Sequence, residues 1–144
     1  MKQFKLTAII WILSFPMAAL AAGTPATMYK NPGCTCCDAY ANYLRENGYD
    51  VNGIAAPDLT KIRRAHKVQP AFDGCHTVLI GNYVFEGHIP VESINRVLKE
   101  RPIIRGLSVP GMPSGSPGMG GAKQGPLEVY YLDSASQPRV YATH

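Results

Sequence analysis

The sequence predicts an α/β sandwich of βαβ-αββα order, carrying a Gly/Pro/Met-rich loop and a C-terminal strand pair. Three observations predict it. Short apolar runs with strand character alternate with stripes of helical period in the order strand, helix, strand, helix, strand, strand, helix. The first strand runs into Asn31-Pro32-Gly33, and the helix that follows opens with Cys34, Cys36 and Cys37, three of the four cysteines in the chain. Beyond Pro102 the composition shifts to glycine and proline before apolar runs return near the C-terminus.

Residues 25–30 form the expected first strand, short and mixed in polarity, which the Pro-Gly turn ends. From Cys37 the apolar or amphipathic positions Cys37, Tyr40, Ala41 and Leu44 fall on one helix face, and Asn47-Gly48 closes that helix as a C-cap does. Residues 51–55 make a second strand. Pro57 and Asp58 open a helix with Leu59, Ile62 and His66 on its stripe, and Gln69-Pro70 stops it. Phe72-Asp73-Gly74 turns the chain into Cys75-His76, and the β-branched, apolar residues 77–80 read as a buried strand. Gly81-Asn82 is a tight hairpin signal before a strand over 83–86. Val91, Ile94, Val97 and Leu98 share the face of a third helix, with Pro90 at its start and Pro102 past its end. Residues 110–121 include eight Gly or Pro and are expected as loop, whose sizeable apolar side chains are Met112 and Met119. Residues 127–132 and 139–141 read as the final strands.

This element order is that of the thioredoxin fold: a βαβ half with parallel strands, then a ββα half with an antiparallel hairpin. In that architecture the loop before the third strand comes up against the N-terminus of the first helix. Cys75 lies in that loop, so the topology predicts that the distant cysteine meets the other three.

At the N-terminus, Lys2 and Lys5 precede an apolar run over residues 6–20 that ends in Ala19-Leu20-Ala21 and Ala22, the layout of a secretory signal peptide. A transmembrane anchor needs about 20 apolar residues; this run is shorter and is broken by Pro16. The expected organisation is therefore a signal peptide over 1–21, cut after Ala21 or Ala22, and a mature domain over 22–144 in the periplasm without a membrane anchor. Loss of the two lysines takes the formal charge from +4 to +2. So small a charge, with no basic run, gives no case for a nucleic-acid partner.

Export exposes thiols to an oxidising compartment, so four cysteines could form two structural disulfides. Their spacing argues otherwise. Cys36 and Cys37 are adjacent, and a Cys34–Cys37 bridge closes a loop too small to gain much stability. Thiols in the first turn of a helix face unpaired N–H groups and the positive end of the dipole, which favour thiolate. Cys34 and Cys37 form a C-x-x-C pair suited to thiol-disulfide exchange, but a third thiol beside them invites scrambled pairings. Metal explains the excess sulfur better. Four converging thiolates could hold a tetrahedral zinc ion or one or more cuprous ions. Export and the two loop methionines, soft thioethers that suit Cu(I), tilt the choice to copper; the duller role for Met112 and Met119 is to anchor the loop.

The histidines are less telling. Strand alternation would turn His76 away from Cys75, and His88 either caps the third helix or sits near the site. His66 is an ordinary helix-end histidine, and His144 is terminal and expected to be mobile. Arg63 and Arg64 are expected on a solvated helix face. Paired carboxylates, a Ser/His/Asp set and a phosphate-binding glycine loop are missing from the chain.

Four motifs in order, Gly33-Cys34-Thr35-Cys36-Cys37, Cys75-His76-Thr77, Glu86-Gly87-His88-Ile89-Pro90 and Pro110-Gly111-Met112-Pro113 with Gly115-Ser116-Pro117-Gly118-Met119, resemble the periplasmic CopG-type copper-resistance proteins, long catalogued as a metal-binding domain of unknown function. The resemblance implies a thioredoxin-like fold in which cysteines hold a multinuclear copper cluster, with a role in copper tolerance, copper redox cycling and exchange with other periplasmic copper-handling proteins. It implies Cys34, Cys36, Cys37 and Cys75 as ligands, with His88, Met112 and Met119 as further candidates. Thr35 departs from the glycine expected between the first two cysteines, which restricts the turn and removes no sulfur. Tyr29-Lys30-Asn31-Pro32 before a cysteine is also similar to the opening of glutaredoxin-coupled arsenate reductases, cytoplasmic enzymes whose thiol donor an exported chain would lack.

Overall fold

The computed structural model describes residues 22–134 and 137–144; the expected signal peptide over 1–21 lies outside them. Among the described residues, seven strands form one mixed sheet on which three α-helices pack. β1 (Thr24–Lys30) and β2 (Tyr49–Ala55) are parallel and joined through α1 (Thr35–Glu46). After α2 (Leu59–Ala65) and a 3-10 turn (Pro70–Phe72), β3 (His76–Ile80) and β4 (Tyr83–Gly87) make the expected hairpin at Gly81-Asn82. α3 (Val91–Glu100), β5 (Gly106–Val109), β6 (Glu128–Tyr131) and β7 (Val140–Thr143) complete the chain. The order across the sheet is β2-β1-β3-β4-β5-β6-β7, and β3 runs antiparallel to both neighbours.

Side-chain parity divides the core. Ala26, Met28, Val78, Ile80, Phe85, Leu107 and Val109 face α1 and α3, where Tyr40, Leu44, Ile94 and Val97 meet them in one buried cluster. Val84 turns the other way and packs with Val68, Phe72 and Leu132. α1 buries Cys37, Tyr40, Ala41 and Leu44, the stripe its period predicts. Asp38 in its first turn pairs with Lys30 at 2.7 Å, with its carboxylate near the positive end of the helix dipole. Asp58 caps α2 by accepting from the Lys61 N–H at 3.0 Å.

Three expectations need correction. No strand was expected between Pro102 and residue 127, yet β5 lies there, fully buried and parallel to β4. Its four residues are too short for a periodic signal, and it forms because β4 offers a free edge that α3 leads back to. Arg63 is not on a solvated face: it is buried, and its Nε donates to Glu86 Oε1 at 2.8 Å. The buried stripe of α2 therefore runs through Leu59 and Arg63, with Ile62 only half-buried. His144 is not loose, since it exchanges backbone hydrogen bonds with Leu127 and its Nε2 lies 2.8 Å from Ser93 Oγ.

The Arg63–Glu86 pair is the main buried polar feature of the α2 side. Burial pushes the Glu86 carboxyl up, against hydrogen bonds from Thr77 and Gly74 and the Arg63 charge, which hold it down. Arg63→Ala leaves Glu86 buried without its cation, and the expected cost is about 3–5 kcal/mol, read as a lower urea midpoint. Arg63→Met combined with Glu86→Leu removes both charges and is expected to recover only part of that loss, because the Gly74 N–H and the Thr77 hydroxyl lose their acceptor.

Candidate metal centre

The centre is built where α1 begins and β3 begins. Pro32 and Gly33 end β1, with Gly33 at a φ of +71 that suits a residue without a Cβ. The turn closes when the Cys34 N–H donates to the Asn31 carbonyl at 3.3 Å, and the helix starts when the Asp38 N–H donates to the Cys34 carbonyl at 3.2 Å. Cys34 is thus the N-cap, and Cys36 and Cys37 stand in the first turn. Cys37 is fully buried and faces the sheet, whereas Cys34 and Cys36 are half-buried.

Cys75 arrives from the other side because Gly74 is held at both ends. The Gly74 N–H donates to Glu86 Oε1 at 2.8 Å, and its carbonyl accepts from the Arg63 guanidinium. Glu86 Oε2 accepts from the Thr77 hydroxyl at 2.6 Å. This clamp on residues 74–77 sets the Cys75 Sγ 3.9 Å from Cys36 Sγ, while Cys36 Sγ lies 3.4 Å from Cys34 Sγ. All four sulfurs fall within 4.8 Å of one another. The structure joins Cys34 to Cys37 as a disulfide and leaves Cys36 and Cys75 free. This bridge closes a loop too small to add much stability, and it is the C-x-x-C pair suited to exchange; the spacing at a helix start brings the two Cα atoms to 5.3 Å, within bonding range.

Two histidines extend the centre. His88 Nε2 lies 3.1 Å from Cys75 Sγ and His76 Nδ1 lies 3.3 Å from it. Alternation does not separate His76 from Cys75, because Cys75 precedes the strand and has no strand parity. His76, Val78 and Ile80 all face α1, where Tyr40 stacks on the His76 ring at 4.6 Å between centroids. Burial lowers the proton affinity of both rings, with the neighbouring His88 adding to the effect on His76 and a hydrogen bond to Pro117 opposing it on His88. His76 Nε2 is buried without a partner. The signal for His76 in the sequence was its adjacency to Cys75, which a strand reading discounted.

α1 also fixes the segment that carries His88. The Tyr40 hydroxyl donates to the Ile89 carbonyl at 2.8 Å, and the Tyr43 hydroxyl accepts from the Val91 N–H at 2.8 Å. Met112 and Met119 lie on the Gly/Pro loop. Met112 is exposed, and Met119 is half-buried two residues beyond Pro117, whose carbonyl meets His88.

The chemistry of this donor set is soft. A metal–sulfur bond of about 2.3 Å puts two sulfurs that share an ion roughly 3.7–4.6 Å apart, and Cys36 with Cys75 stand at 3.9 Å. Closure of the Cys34–Cys37 bond withdraws two donors, and its two-electron reduction restores them.

The chain resembles two solved structures titled "Copper resistance protein copG", forms 1 and 2. Each is 32% identical to it, the match covers 85% of this chain and 98% of theirs, and the TM-scores are 0.76 and 0.77. The chain belongs to the CopG family. The family described as "Protein of unknown function, DUF411" matches residues 72–119, a span that holds Cys75, His76, His88, Met112 and Met119. Comparison with curated proteins finds no match. Within this CopG-family chain, the motif that the DUF411 match omits is the cysteine turn at residues 33–37, which the fold returns to the matched segment.

Burial and the neighbouring Cys36 push the Cys75 thiol up to about 12, so it is almost wholly protonated at pH 8. In the protein with the Cys34–Cys37 bond closed, iodoacetamide at pH 8 is expected to modify the half-buried Cys36 faster than the buried Cys75. Peptide mass spectrometry over a time course checks the order.

Proposed function

We propose that the protein is an exported copper-binding protein of copper resistance that takes Cu(I) as cargo through Cys34, Cys36, Cys37 and Cys75. The observation that carries this reading is the meeting of four sulfurs from two distant stretches of chain within 4.8 Å. Four donors that can bridge suit more than one cuprous ion, so the bound form is read as a multinuclear cluster. Thiolate and thioether donors select Cu(I) over harder ions. His88 borders the cage through Cys75 and is its nitrogen donor; Met112 and Met119 are its thioether candidates on the loop.

The fold is read as thioredoxin-like. The order β2-β1-β3-β4, with β3 antiparallel to its neighbours and Cys34 and Cys37 at the start of α1, supports this. Residues 1–21 are read as a signal peptide that delivers residues 22–144 to the periplasm, where other copper-handling proteins load and empty the site. No helix among the described residues is long and apolar enough to cross a membrane. Cu(I) binding by all four sulfurs requires the Cys34–Cys37 bond to be open, which takes two electrons and two protons from an external dithiol. Copper binding and sulfur redox state are then linked.

Protein isolated from the periplasm, or reduced and reconstituted anaerobically, is expected to carry more than one equivalent of copper, in the Cu(I) state by X-ray absorption. Cys75→Ser removes the sulfur that joins the two stretches and is expected to lower bound copper by at least half. Zinc alone, or no metal after reconstitution, rejects the reading.

The Cys34–Cys37 pairing favours a second reading, thiol-disulfide exchange with Cys34 as the accessible sulfur and Cys37 as the buried one. Here Cys36→Ser and Cys75→Ser retain insulin-reduction activity and Cys34→Ser abolishes it. Background rates for the unsubstituted protein dismiss this alternative.

A further inference from the structure

The Gly/Pro/Met loop carries a feature that neither the ligand set nor the fold accounts for. Ser116, Pro117, Gly118 and Met119 form a β-turn in which the Met119 N–H donates to the Ser116 carbonyl at 2.9 Å. Proline stands at its second position and glycine at its third, with Gly118 at a φ of +74. This is the type II turn, whose central peptide is flipped relative to type I and whose third residue needs a positive φ. The flip decides where the Pro117 carbonyl points. It points at His88: the ring Nδ1 lies 2.7 Å from that oxygen.

A carbonyl oxygen can only accept, so His88 Nδ1 carries the proton. In the neutral ring Nε2 is then bare, and it is this nitrogen that lies 3.1 Å from Cys75 Sγ. The turn is seated as well as shaped. A Cβ on Gly118 would stand 2.6 Å from the Tyr40 backbone nitrogen and 2.7 Å from its Cα, so the loop can lie against α1 only where residue 118 has no side chain. Tyr40 in turn holds the carbonyl of Ile89, the residue after His88. The loop, the helix and the histidine are thereby fixed to one another.

We propose that the Ser116–Met119 turn is a positioning element of the metal centre, in which Gly118 seats the turn on α1 so that the Pro117 carbonyl locks His88 with Nδ1 protonated and Nε2 presented as the donor beside Cys75. Gly118 acts through His88 and touches no metal. The inference rests on the copper reading only for the use to which the donor is put; the tautomer itself is a property of the metal-free chain. Carbonyl or carboxylate partners of this kind, on the far nitrogen of a ligating histidine, typically change metal affinity 10–100-fold.

The test has two arms. In the reduced, metal-free, 15N-labelled protein, long-range imidazole spectra are expected to give the Nδ1–H form for His88, assigned by loss of its signals in His88→Gln. An Nε2–H form in the unsubstituted protein overturns the proposal whatever any variant does. Gly118→Ala, which needs both a positive φ and space that Tyr40 occupies, is expected to mix the two tautomers. It should also weaken Cu(I) retention against the chelator bathocuproine disulfonate by about 10–100-fold. Gly120→Ala, with open space around its Cβ, is expected to match the parent protein in both measurements. Unchanged tautomer and unchanged competition in a folded Gly118→Ala overturn the proposal. If the parent protein binds no Cu(I), the copper reading fails while the tautomer arm still decides the role of the turn.

Discussion

The site depends on Gly74, gripped by Glu86 at its N–H and by Arg63 at its carbonyl. Without that grip the residue after it would sit in an ordinary loop, free to swing a sulfur toward solvent. With it, Cys75 is delivered to the N-terminus of α1 from the loop just before β3, about forty positions along the chain from the cysteine turn. A buried ion pair is a weak source of stability, since desolvation of the two charges offsets most of their attraction. Here its value is in specifying position. Each of the two charged groups meets a different backbone group of the same residue, in the two peptide units that flank its Cα, so the backbone at Gly74 has one orientation that satisfies both.

A second set of constraints acts from α1. Tyr40 and Tyr43 lie one turn apart and reach past the cysteines to the backbone at Ile89 and Val91. The helix that carries three thiols therefore also fixes the turn that carries His88. The donors come from separate elements, and each is referred to the same helix. A rigid centre follows from shared attachments and needs no large number of contacts.

Much of this was legible in the sequence, and the reasons for the rest are physical. The α1 stripe, the hairpin at Gly81-Asn82 and the Asp58 cap follow from local rules that depend on few neighbours, and they lie where those rules put them. β5 was not legible because four residues carry no period and its stability comes from a strand edge made elsewhere. Arg63 was read as solvated because a lone arginine on an amphipathic stripe gives no sign of the carboxylate 23 positions away that neutralises it. His76 was discounted by strand alternation, which presumes that its neighbour also belongs to the strand; Cys75 does not. The convergence of Cys75 on the cysteine turn followed from topology, whereas the Cys34–Cys37 bond depends on the oxidation of the thiols as well as on their spacing.

The four sulfurs also differ in depth. Cys37 and Cys75 lie under the helix and the sheet, and Cys34 and Cys36 look outward from the turn. Any ion seated among them would have one doorway, at the two outer thiols. Transfer to an incoming protein would then proceed by associative exchange, each new sulfur displacing an outer one before an inner one lets go, so that the ion is never bare. A bulky chelator would contend with that narrow approach as well as with affinity, and rates of removal would report the width of the doorway before they reported the strength of the bonds.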